Sequence, residues 1–179
     1  MTKAIELIPL SCVQCNYPIP AEDQQVAWVC SQCSTGMILE EQGLEKMDFH
    51  YHPGIRSGQT GKPFWVLNAR VNLDRKVYNT FGKKDKDAKA FWGQDRMFFL
   101  PAYDCSVEEM VEIGKAYLRN PLQLADGESA AHLPVTMGKE DIKSIAEYLV
   151  MAIEADRRDD VKQVTFQISL SDPVLWILP

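Results

Sequence analysis

The chain reads as an α+β protein: a small cysteine-clipped β module at the N-terminus, then a mainly antiparallel sheet with two helices on one face. Three observations predict this. Two Cys-x-x-Cys pairs stand fourteen residues apart in SCVQCNYPIPAEDQQVAWVCSQCS, residues 11–34. Short strand-type runs separated by turn residues fill the chain as far as residue 103. Beyond residue 105 two stretches carry apolar residues at helical spacing. With 179 residues and 46% hydrophobic content, the chain can build one ordinary domain or a small module plus one domain.

The elements follow in order. YPIPAEDQQ is a Pro-rich connection into VAWVC, a strand that leads to the second cysteine pair. MILE and LEKMDFHY are strands joined by Glu41, Gln42 and Gly43; Met47, Phe49 and Tyr51 alternate with polar residues at strand period. Residues 52–62, HPGIRSGQTGK, have three Gly, one Pro and no periodic apolar face, and mark a linker. The expected division is therefore 1–51, 52–62 and 63–179. PFWVLNARV is a strand with Trp65, Leu67, Ala69 and Val71 on one face. A hairpin turn is expected around Leu73–Arg75, with a partner strand after it, then a charged loop at GKKDKDAKA and a strand at RMFFLPAY.

Ser106 and Glu109 form a capping box. The helix it opens should run to about Arg119, with Val107, Met110, Val111, Tyr117 and Leu118 inward, and end before Asn120-Pro121. Ile142, Ile145, Ala146, Leu149, Val150 and Ile153 define a second helix over 139–157. VTFQISL is a strand with Val164, Phe166, Ile168 and Leu170 on one side. PVLWILP reads as an inner strand, with an apolar plug for a partner as the alternative.

The four thiols carry the most specific chemistry. Zinc takes four ligands in a tetrahedron and thiolates suit it. Cys12, Cys15, Cys30 and Cys33 supply two sulfurs from each turn, at close to zinc-site spacing. Rubredoxin-like iron, a thioredoxin-like redox pair and four plain core thiols are the other readings; the redox pair needs a strand-to-helix context that is missing here. The CVQC and CSQC motifs of residues 7–51 resemble the zinc-ribbon group of modules. That resemblance implies one structural Zn2+ per chain, and a recognition role in nucleic-acid machinery or protein adaptors. Family knuckles often carry Gly after each pair, where this chain has Asn16 and Ser34. Four protein ligands close the shell, leaving no open position for catalysis.

The formal net charge of −6 argues against a dedicated DNA binder. Its distribution is uneven: residues 1–52 carry −5, residues 53–96 carry +6 and residues 97–179 carry −7. In the basic middle, Arg70, Arg75, Lys76, Lys83, Lys84, Lys86, Lys89 and Arg96 are interleaved with Trp65, Tyr78, Phe81, Phe91 and Trp92. Cations bind phosphates and aromatics stack on bases, so this segment, Trp92 included, is a candidate surface for nucleic acid or a partner protein. The competing reading is a sheet whose aromatics face the core. A third reading is an enzyme around Cys105, with Asp104 and His132, because a thiol near a helix N-terminus can be activated. GQTGKP fails as a phosphate loop, since Pro63 follows Lys62 and a strand follows where a helix should start. His50 and His52 share a strand face and read as exposed histidines rather than as a second metal site. Glu154 is placed on a solvent face, paired with Arg158. No run reaches the roughly 20 apolar residues of a membrane span. With no secretion signal, the expected setting is the cytoplasm, where paired cysteines bind metal. The sequence thus predicts a non-enzymatic adaptor or assembly subunit, with a protein partner or homo-oligomer.

Overall fold

The computed structural model describes residues 10–20, 22, 24–77, 83–157 and 161–179, without the side chains of residues 77, 83–85, 161 and 162. It is an α+β structure with two sheets. In the first, β1 (Ala27–Val29), β2 (Gly36–Glu40) and β3 (Gly43–Lys46) pair antiparallel in that order. Gly43, at φ 125°, makes the β2–β3 turn at the place the sequence indicates. Gly36 opens β2 because a side chain there would collide with the Met47 carbonyl oxygen and the Phe49 ring.

The strand predicted over LEKMDFHY breaks at Met47–Asp48. Its second part, β4 (Phe49–Tyr51), joins the other sheet and pairs parallel with β8 (Val174–Leu178). β8 lies between β4 and β5 (Lys62–Val77), so PVLWILP is an inner strand. β6 (Arg96–Pro101) pairs antiparallel with residues 64–69 of β5. β7 (Val161–Leu170) pairs antiparallel with residues 69–77, on the same edge of β5 as β8.

No hairpin turn forms at Leu73–Arg75: β5 runs straight through and pairs with β7 as far as Val77. The segment has neither Gly nor Pro, and its alternation simply continues, with Asn72, Asp74 and Lys76 exposed and Val71 and Arg75 buried. The expected charged loop is also different. Residues Lys83–Trp92 form a helix, α1, in addition to the two foreseen. Its lysines and alanines are good helix formers, and Ala88 and Trp92 face inward at i, i+4 spacing. Two buried positions among its described side chains are too few to show as periodicity in the sequence.

α2 (Val107–Arg119) begins where the capping box places it, and Ser106 Oγ accepts from the Glu109 N–H at 3.1 Å. Val107, expected inward, is exposed. α2 lies beside edge strand β6: Val111 and Leu118 join the core on one face, and Ile113 and Tyr117 pack with Phe64 and Phe99 on the other. α3 (Ile142–Ala155), preceded by a 3-10 turn at Lys139–Asp141, buries Ile142, Ala146, Leu149 and Val150 against Trp65, Leu67, Phe98 and Leu100. It crosses α2 at Gly114, where a Cβ would meet Leu149 at 2.8 Å.

The first sheet packs against this core rather than standing apart, because Ala27 and Ile38 belong to the same cluster as Trp65 and Val135. Residues 121–138 hold the parts together through backbone bonds. Gly127 N donates to Tyr51 O, Leu133 N to Gly61 O, Val26 N to Val135 O and Thr136 N to Ala102 O, at 2.6–2.9 Å.

Glu154 is buried rather than on a solvent face. Its carboxylate ion-pairs with Arg75 Nε at 3.0 Å and Arg157 Nε at 2.7 Å, and accepts from Trp92 Nε1 at 2.8 Å. Arg158, its expected partner, lies outside the described residues. The cluster joins β5, α1 and the C-terminal end of α3. Removing one member of such a pair strands the other charge in low dielectric, whereas replacing both by apolar groups is often near neutral. Glu154→Leu should therefore cost about 3–5 kcal/mol in urea unfolding, and Arg75→Met in the same chain should recover most of it. Ser106→Ala should cost about 1 kcal/mol through loss of the α2 cap.

Candidate metal centre

Each Cys-x-x-Cys turn folds the same way. In the first, Asn16 N donates to Cys12 O (2.9 Å) and Cys12 N to Tyr17 O (2.8 Å). In the second, Ser34 N donates to Cys30 O (2.8 Å) and Cys30 N to Thr35 O (2.9 Å). Both turns close with a left-handed residue, Asn16 at φ 57° and Ser34 at φ 59°. Asn adopts this conformation readily, and Ser34 takes it in spite of its Cβ. The two turns face each other at one end of the three-stranded sheet, the second following directly from β1.

All four sulfurs lie within 4.8 Å of one another. Cys12 and Cys33 Sγ are 3.5 Å apart, and Cys15 and Cys30 Sγ 3.7 Å. A tetrahedral ion with metal–sulfur bonds of about 2.3 Å needs edges of about 3.8 Å. The donors therefore fit a thiolate-bound metal ion. Gln14 N points at Cys12 Sγ at 3.4 Å, and Lys46 Nζ on β3 donates to Gln14 Oε1, tying the first turn to the sheet. Cys12 and Cys30 are buried with Ile19, Trp28 and Met37; Cys15 and Cys33 are exposed.

Without an ion the thiols conflict electrically. Thr35 holds Cys33 down to about 6, first through its side chain, 3.2 Å away, and then through its backbone. Cys15 is drawn down by the Tyr17 backbone, but partial desolvation and its bonds to Cys33, Cys12 and Cys30 push it up to about 12. Four crowded sulfurs all become thiolates only when a cation holds them.

The other candidates separate. Arg75 and Trp92 are inside, committed to Glu154, and present no surface to a partner. Arg70 is exposed but forms a two-point pair with Asp95, at 2.7 and 3.1 Å, which raises the Arg70 pKa and lowers that of Asp95. Arg96 donates to the Phe91 carbonyl and lies over its ring. Lys76, Lys86 and Lys89 are exposed. Lys83 and Lys84 open α1, with side chains outside the described ones; Tyr78 and Phe81 lie outside the described residues altogether.

Cys105 is part-buried beside Ile113 and Tyr117. Its pKa is raised, chiefly by burial and then by Glu109 and Asp104, the opposite of an activated thiol. His132 packs against the Phe49 and Tyr51 rings. His50 bonds Asp126 at 2.8 Å and stacks on Trp176, and His52 bonds the Gln123 carbonyl at 3.1 Å. Both fasten the 121–127 segment to β4. Sequence reasoning had no signal for that role, because the contacts span more than seventy residues.

No family model matches the chain, and neither a curated protein nor a solved structure matches it. Among the described residues, no helix is long and apolar enough to cross a membrane. The site itself defines the class: an α+β structure with four cysteines clustered within metal-binding distance beside its N-terminal sheet.

Elemental analysis should find about one tightly held metal ion per chain. Cys30→Ser should abolish retention of the ion and remove amide protection from β1–β3, measured by hydrogen exchange.

Proposed function

We propose that the protein is a non-enzymatic zinc-ribbon adaptor or structural subunit of a protein assembly, working in the cytoplasm. The observation that carries this reading is the closed donor set: four cysteines around one ion-sized space, with no position left for water or substrate. Zinc is the ion assigned, since it favours tetrahedral thiolate and reduced thiols persist in that compartment. Bound there, it would supply folding energy to a module whose own core is five buried side chains. Because β4 is paired into the second sheet, the module would present its knuckles from a fixed position on residues 63–179. Val13 and Tyr17, exposed on the first turn, are where a protein partner would touch.

The nucleic-acid reading has less surface to use. Arg75 and Trp92 are inside and Arg96 is held by the Phe91 carbonyl, so the described exposed cations on the segment are Arg70, paired with Asp95, and Lys76, Lys86 and Lys89. A Cys105 enzyme would need a thiolate that its surroundings oppose.

The test is affinity purification from the native host with and without nuclease, followed by mass spectrometry. A protein partner that survives nuclease at fixed stoichiometry, and is lost with Tyr17→Ala in a zinc-loaded chain, is expected. Partners that vanish with nuclease, together with binding that weakens steeply with salt and disappears in Lys86→Glu/Lys89→Glu, would overturn the adaptor reading in favour of nucleic acid.

A further inference from the structure

Among the described residues β7 pairs with β5 alone, at Val161 and from Gln163 to Leu170, and its other edge has no strand beside it. Exposed edges are normally blunted by Pro, bulges or charged residues. VKQVTFQISL has one Lys and no Pro, Gly or acidic residue. Its single register shift lies at the far end, opposite Lys76/Val77.

The backbone polarity of this edge can be read. Ser171 N donates to Asn68 O across the β5 seam at 2.9 Å, so odd-numbered residues turn their hydrogen-bonding groups toward β5. Val164, Phe166, Ile168 and Leu170 therefore offer N–H and C=O outward. Their side chains lie on the face covered by α3 and remain only half-buried, whereas Gln163, Thr165, Gln167 and Ser169 are exposed on the other face.

We propose that a second copy of this chain occupies this edge, β7 pairing antiparallel with β7 about a twofold axis at Phe166, to make one continuous sheet. The segment is complementary to itself in that register. Val164 meets Ile168 of the second copy, Phe166 meets its own equivalent, and Thr165 meets Gln167, so apolar residues share one face and polar residues the other. Position 162, the only charge, falls opposite Leu170 rather than opposite itself. The axis is perpendicular to the sheet, so α3 of both copies lies on the same face. The proposal is independent of the metal and of the adaptor reading.

Light scattering and sedimentation of the zinc-loaded full chain, from about 1 to 100 µM, test it together with residue-level hydrogen exchange. A concentration-dependent dimer is expected. Amides of Phe166, Ile168 and Leu170 should slow at least tenfold as the dimer forms, while those of Thr165, Gln167 and Ser169 stay protected throughout. Ile168→Pro removes one outward donor and should give a monomer. Should it fail to fold, Thr165→Lys/Gln167→Lys places like charges across the seam at exposed positions and should do the same. A chain that stays monomeric, a dimer whose outward amides still exchange freely, or outward amides protected in the monomer would each overturn the proposal.

Discussion

Strand β5 is the constraint on which the rest of the second sheet depends. Three of its four other strands hydrogen-bond to it directly: β6 on one edge, β8 and then β7 on the other. Its inward side chains change character along its length. Trp65, Leu67, Ala69 and Val71 form an apolar floor for α3, and then Arg75 appears, fully buried. A guanidinium in that position requires a carboxylate, and Glu154 at the end of α3 supplies it. The same carboxylate takes the Trp92 N–H, so the polar end of β5 also decides where α1 lies. Packing thus accounts for Trp65, Arg75 and Trp92 of the middle segment.

The cysteine module obeys a different constraint. Its cluster of Cys12, Ile19, Trp28, Cys30 and Met37 is small, and two of the five belong to the four-cysteine group. Yet its sheet is not free of the larger one. β1 splits its side chains, Ala27 toward the main core and Trp28 toward the knuckles. The 121–138 segment adds backbone bonds to the module, to β4, to Gly61 and to the end of β6. A long stretch without regular structure is held in place because its backbone groups are paired with four separate elements.

Local features were legible in the sequence. The knuckles, the Ser106 cap, the α3 periodicity and the alternation in β7 all depend on neighbours within a few residues. What failed depended on distant ones. Asp74 and Arg75 looked like turn residues, because nothing near them announces a buried Glu154. Glu154 looked solvent-facing, because charged residues at helix ends usually are. α1 looked like a loop, since Ala88 and Trp92 are its described buried side chains. The strand through Met47 looked continuous, although its two halves belong to different sheets. The meeting of the four cysteines was readable by spacing alone; the roles of His50, His52 and Trp92 were not, because each is defined by a partner far along the chain.

The interior position of β8 bears on how the chain reaches this state. Phe49 and Leu175 are neighbours across a strand pair although more than a hundred residues separate them. Lys62 and Leu178 are similarly paired. Such closures cost chain entropy before any contact rewards it, and they slow folding. During synthesis the module and α2 have their partners nearby, whereas β4 and the start of β5 wait with a strand-wide gap between them. Over that interval the nascent chain exposes two unpaired strand edges, an aggregation hazard that its folded form does not show at that place.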